Sequence, residues 1–193
     1  GSITGMTWDL RFGLGEGGSL SASDSARTFK DTTNVPYQVI LMYPTGSIDR
    51  NQLLFTVAAF NFANALVKEL DLSFDEAGTL SMLKIQGFSS LSEVIHYYKL
   101  AYGKDGYASK LPNDIFVLPI SENNYETLMR GKTLDEYITF FNEHYGKDLP
   151  EVVAHWQARN ENTQTSEQAP LPKEEVEETP EEPIQEAQKP VQE

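Results

Sequence analysis

The chain contains no cysteine, which excludes disulfide cross-links and thiolate metal sites and leaves the compartment open. No apolar run approaches the ~18 residues that a membrane-spanning helix needs. A basic stretch leading into an apolar one is also missing at the start, so no signal peptide opens the sequence. Basic residues are scarce: 15 Lys and Arg stand against 29 Asp and Glu, for a formal net charge of −14. Binding phosphate backbones requires clustered Lys and Arg, and the scattered few here argue against nucleic acid as a partner. Gly1-Ser2 reads as a cloning scar and the chain as an excised fragment.

The acidity that is present sits mostly at one end. From Asn160 onward, ten Glu face Lys173 and Lys189, and Pro170, Pro172, Pro180, Pro183 and Pro190 punctuate the stretch. Such a composition buries too little apolar surface to offset the entropy of ordering it. Residues 159–193 are therefore expected to be a disordered acidic tail, a solvated spacer rather than an electrostatic arm for a basic partner. Residues 1–35, rich in Gly, Ser and Thr, read as a mostly flexible linker. Their Gly13-x-Gly15-x-x-Gly18 formally matches a dinucleotide fingerprint, but no parallel strand–helix unit surrounds it.

Between these ends, hydrophobic periodicity defines one domain, residues 36–147, followed by a weak helix over 148–158. Tyr37–Tyr43 is a continuous apolar run fit for a central strand. Asp49 with Gln52 forms a helix start, and Leu53, Leu54, Val57, Ala58 and Phe60 follow at helical spacing. Leu70–Phe74 alternates as an edge strand, Asp75–Gly78 reads as a turn, and Leu80–Phe88 is a second long strand. Ser90 with Glu93 opens a helix carrying Val94, Ile95, Tyr98, Ala101 and Tyr102. Ile115–Ile120 is a fourth strand, placed at an edge by Pro119. Short helices follow near Asn123–Arg130, ended by Gly131, and after the cap Thr133 with Glu136.

The order strand, helix, strand, strand, helix, strand predicts an α+β, ferredoxin-like (split βαβ) two-layer sandwich. It has a four-stranded antiparallel sheet, two main helices on one face and an added C-terminal helical segment.

Catalytic chemistry is thinly represented. Ser121 follows a strand without the glycines of a nucleophile elbow and reads as a helix cap. His96, His144 and His155 lack partners at a metal-ligand spacing. Asp75/Glu76 and Asp135/Glu136 fall where turns and helix starts favour carboxylates. The aromatic set Tyr97, Tyr98, Tyr102, Tyr137, Phe140, Phe141 and Tyr145 reads as core. No catalytic, cofactor-binding or metal-binding residue is predicted, and the chain reads as a non-enzyme.

One face of the sheet stands out. With Val39, Leu41, Leu83 and Ile85 turned to the helices, Ile40, Met42 and Met82 point the other way beside Gln38, Lys84 and Gln86. An apolar centre with polar edges is expected of a binding face. The competing expectation is that the segment after Ser121, or Trp8–Phe12, folds back over it.

Several stretches carry a resemblance. They are Val35–Pro44, Asn51-Gln-Leu-Leu-Phe55 with Phe60-Asn61, Leu80-Ser-Met-Leu83, Phe88-Ser-Ser90, Ile120-Ser-Glu-Asn-Asn-Tyr125 and Leu134-Asp-Glu-Tyr-Ile-Thr-Phe-Phe141. Together, over about residues 35–146, they resemble the C-terminal domain of Bacteroidota tetratricopeptide-repeat lipoproteins, envelope proteins linked to gliding motility and type IX secretion. The resemblance implies a cell-envelope location, periplasmic or outer-membrane associated, a non-catalytic scaffold role and envelope protein partners. It implies no cofactor or site residue. Leu83-Lys-Ile-Gln-Gly-Phe-Ser-Ser90 followed by a helix is also similar to the SPOR domain, which implies peptidoglycan glycan-strand binding as the alternative. Tyr43-Pro-Thr-Gly46 departs from that pattern at the end of the first strand.

Overall fold

A computed structural model describes residues 8–13, 21–64 and 69–168. Gly15 and Gly18 of the glycine motif, and residues 169–193 of the expected tail, lie outside the described residues. A short helix α1 (Ala22–Ser25) precedes β1 (Tyr37–Pro44), α2 (Arg50–Ala63), β2 (Asp71–Ala77), β3 (Leu80–Phe88) and α3 (Leu91–Ala101). A 3-10 turn at Ala108–Lys110 leads to β4 (Phe116–Ser121), α4 (Glu122–Met129), α5 (Leu134–Tyr145) and α6 (Pro150–Gln168).

The chain is an α+β protein whose four-stranded sheet runs β2-β3-β1-β4 with every neighbouring pair antiparallel. β1 and β3 are central, as their apolar runs require, and β4 with its Pro119 lies at an edge. The helix starts are fixed locally. Asp49 accepts from the backbone N–H of Asn51 and Gln52, Ser90 from Glu93, and Thr133 from Glu136 in a reciprocal capping box. Each pairing satisfies donors that the first helical turn leaves over.

The β2–β3 hairpin corrects one expectation. Asp75 and Glu76 belong to the strand, pairing with Met82 and Ser81, and the turn is Gly78-Thr79. Gly78 adopts φ +62°, the left-handed conformation that two-residue hairpins place on glycine. A Cβ there would come within 2.7 Å of the Leu10 side chain, so a segment from the chain's start lies against this turn.

Pairing register sorts the sheet into two faces. Val39, Leu41, Leu83, Ile85, Phe74 and Val117 share the first. There the Arg50 guanidinium at the start of α2 sits 4.1 Å from the Phe74 ring. Phe88 meets Tyr97 of α3, which in turn meets Phe60 of α2.

The second face is covered too over β1, β3 and β4, so the two-layer expectation gives way to a sheet packed on both sides, with Asp71, Ser73 and Asp75 of β2 left exposed on the second. Gln38, Ile40, Met42 and Met82 are all buried. Tyr125 of α4 lies over Lys84 and donates to the Asp75 carboxylate, with its hydroxyl 3.7 Å from the Met82 sulfur. The Trp8 ring packs edge-on against Phe116 of β4 and against Trp156 of α6. Arg11 bridges to Thr133, and the Phe12 N–H donates to the Lys132 carbonyl. Arg11 also reaches Glu136 at 3.2 Å. Burial pushes the Glu136 carboxyl up, but the Thr133 N–H and the Arg11 guanidinium outweigh it and hold the group below the usual range.

Residues 1–35 therefore include packed structure and are more than a linker. Asn124 in α4 holds both backbone groups of Lys30. Phe29 packs on Tyr137 of α5. The C-terminal end differs as well: α6 runs to Gln168, ten residues into the expected tail. Residues 159–168 contain no proline, and a helix already anchored by buried Val152 and Trp156 propagates at little cost per residue.

Candidate functional site

The six residues of the predicted sheet face share one side of the sheet, yet its centre forms no accessible surface and only Lys84 and Gln86 are partly exposed. Gln38 is 1% exposed and Ile40, Met42 and Met82 are fully buried. Lys84 and Gln86, at the margin, are engaged by the Tyr125 ring and by Glu122. An antiparallel sheet with two apolar faces has to bury both, and here α4 and the segment around Trp8 do so. The sheet face is core.

Most of the chemically reactive side chains are held in structural roles. Ser121 is buried and caps α4 by accepting from the Asn124 N–H. Asp135 accepts from the Trp156 indole. His144 lies 3.1 Å from Asp31, and His96 is exposed on α3. The His155 Nδ1 is 2.9 Å from the Tyr98 hydroxyl. Burial, with the nearby Arg159 charge, lowers the His155 pKa, favouring the neutral ring. Arg159 donates to the Asn113 and Ile115 carbonyls and lies over the Trp8 and Phe116 rings. It fastens α6 to the start of β4. Among the described residues, no group of three His, Cys, Asp or Glu is placed to hold a metal ion.

The feature that stands apart is the outer face of α2. Leu53, Val57 and Phe60 turn inward. Phe55 and Phe62 turn outward and are 74% and 90% exposed. They are seven residues apart, two helical turns or about 10.5 Å along the axis on one side of the helix. Exposed Ala58 and Ala59 lie between them. From Asn51 to Asn64 no side chain carries a charge. Large apolar side chains thus lie on both sides of α2, and the helix is covered on one side only.

A groove of about 720 Å³ runs beside this face, between α2 and the loop before β4, lined by Leu53, Thr56, Phe60, Tyr107, Leu111 and Pro112. At its back, Tyr97 donates to the Asn61 side-chain carbonyl and lies 3.0 Å from the Tyr107 hydroxyl. Burial pushes both phenols up, so they remain protonated donors. The Asn61 side-chain amide nitrogen is buried without a partner. The groove therefore has an apolar floor and a small polar cluster behind it.

Periodicity analysis identified the inward stripe of α2 but gave no role to Phe55 and Phe62. The signal that would have found them is two phenylalanines on the side opposite Leu53, Val57 and Phe60, in a helix with no charged residue after its first position. Comparison with known proteins finds no family model that matches the chain, no matching curated protein and no matching solved structure.

Proposed function

We propose that the chain is a non-catalytic protein–protein interaction module of a larger cell-envelope scaffold, docking through the outer face of α2 and its adjoining groove. The observation that carries this reading is the pair of exposed phenylalanines on an uncharged helix face. A contiguous apolar patch of this kind, with polar surroundings, marks an interaction site on an otherwise ordinary surface. Aromatic side chains supply most of the contact energy in such sites. Apart from the exposed His96, the reactive side chains named above are occupied as caps, clamps and core hydrogen bonds, which also favours a binding role over catalysis.

The strand order and the two crossover helices support a ferredoxin-like core, extended by α4, α5 and α6. The resemblance to the envelope lipoproteins supports the scaffold setting, with secretion or gliding machinery as its context. The glycan-strand alternative loses the sheet face on which sugar recognition was expected, because that face is core.

The test is capture from an envelope extract by the wild-type chain and by a Phe55→Asp/Phe62→Asp variant of equal thermal stability. A protein retained by the first and lost by the second, and rebound in purified form, is the expected result. Equal retention by both would move the docking surface elsewhere and refute the assignment.

A further inference from the structure

We infer that the occupant of the α2 face is a second copy of this chain, with the two α2 helices packed antiparallel about a two-fold axis. The inference rests on the interaction reading above and names its partner. Three observations point to self-pairing.

The first is the spacing. Phe55 and Phe62 are symmetric about the Ala58–Ala59 peptide. An antiparallel helix pair with its two-fold axis at that point sets Phe55 of one copy opposite Phe62 of the other. The same axis sets Ala58 opposite Ala59, where small side chains let the backbones approach. The face is thus complementary to itself, as an isologous contact requires.

The second is charge. Of the formal −14 per copy, ten Glu against two Lys put −8 beyond Arg159 and leave −6 on residues 1–159, so two approaching folds repel modestly. The outer face of α2, uncharged from Asn51 to Asn64, is a place where two copies meet without bringing like charges together. A foreign partner answering the chain's acidity with basic groups would find no carboxylate from Asn51 to Asn64, and would meet Asp49 and Asp105 only in the groove beside the face.

The third is area. A phenylalanine buries ~200 Å², so the 74% and 90% exposure of Phe55 and Phe62 leaves about 330 Å² of ring per copy. Two copies would cover about 650 Å² from these rings alone, roughly half of the ~1,200 Å² at which stable interfaces begin. Exposed Asn51, Ala58, Ala59 and Ala63 on the same helix, with the groove rim, supply further area.

Sedimentation equilibrium of the full chain is the first experiment. The expected result is a concentration-dependent species of twice the single-chain mass. Either Phe55→Asp or Phe62→Asp alone should weaken it on the order of 100-fold or more, because each substitution enters a two-fold contact twice. Since the chain has no cysteine, Phe55→Cys and Phe62→Cys variants can then be mixed and oxidised. Antiparallel packing predicts that the mixed 55–62 disulfide dominates over 55–55 and 62–62.

A single-chain mass at every concentration overturns the inference, as does a dimer indifferent to both aspartates. Predominant 55–55 and 62–62 disulfides overturn the antiparallel register. A monomer that still captures an envelope protein through Phe55 and Phe62 overturns the second-copy assignment alone. A monomer whose capture ignores both residues overturns the interaction reading with it.

Discussion

Replacing Trp8 with alanine should cost the protein about 4 kcal/mol of stability. Trp8 lies in a stretch whose composition reads as linker, yet it is 3% exposed. Its ring meets Phe116 at 6.4 Å and Trp156 at 6.3 Å, both edge-on, with the Arg159 guanidinium 5.2 Å away. Truncating a buried Trp costs ~3–5 kcal/mol through lost transfer energy plus the cavity left behind. The cavity should not collapse readily, because the Arg11–Thr133 bridge and the Phe12 N–H bond to Lys132 fix the segment. For a folded unit of this size, ~4 kcal/mol corresponds to a fall in Tm of about 8–16 °C. Urea unfolding followed by far-UV circular dichroism is the suitable assay, since the substitution removes one of only two tryptophans and distorts fluorescence. The slope with denaturant should stay unchanged while the midpoint falls. A loss under ~1 kcal/mol would mean that Trp8 does not close the second sheet face, and the enclosed-sheet account would fail.

Asn124→Ala removes both hydrogen bonds to the Lys30 backbone, at 2.8 and 3.0 Å, and should cost ~1–3 kcal/mol in the same urea assay; a neutral result would detach residues 21–36 from the fold. His155 has a pKa lowered first by burial and then by Arg159, so the unfolded chain takes up its proton more readily. The stability it contributes is present above the ordinary histidine value and is lost as pH falls through the lowered one. Melting curves between pH 7.5 and 5 should therefore fall less steeply for His155→Gln than for wild type, and parallel curves would refute the linkage. At dilutions where the chain is a single copy, Phe55→Asp and Phe62→Asp should leave stability within ~0.5 kcal/mol, and a larger loss by urea titration there would show that these rings serve the fold.

The element order was legible because it rests on local rules. The caps Asp49, Ser90 and Thr133 announce their helices from two or three neighbouring residues. The runs at Tyr37–Tyr43 and Leu80–Phe88 are apolar on both faces, which marks central strands, and Pro119 marks an edge. The same analysis misplaced the turn at Asp75–Glu76, because acidic residues are as compatible with an exposed edge strand as with a loop. Only Gly78 met the positive φ that the hairpin requires.

The candidate site was legible least. Met42 and Met82 were expected either on a binding face or beneath the segment after Ser121 or Trp8–Phe12, and both of those segments cover the face; alternation shows only that a side chain turns away from the first layer of helices. It does not show what else in the chain arrives to cover it. Phe55 and Phe62 were passed over for the converse reason: a phenylalanine in a helix is usually core, and exposure is a property of the assembled surface. By itself, the sequence determined the four strands, the main helices, their order and the two-sided apolar character of the sheet, since each depends on residues a few positions apart. Tertiary structure alone decided that Trp8 and Tyr125 close the second face of the sheet while the outer face of α2 stays uncovered. Covering a surface depends on contacts from 43 residues apart (Tyr125 to Met82) to more than a hundred (Trp8 to Phe116 and Trp156), and no local pattern carries that distance.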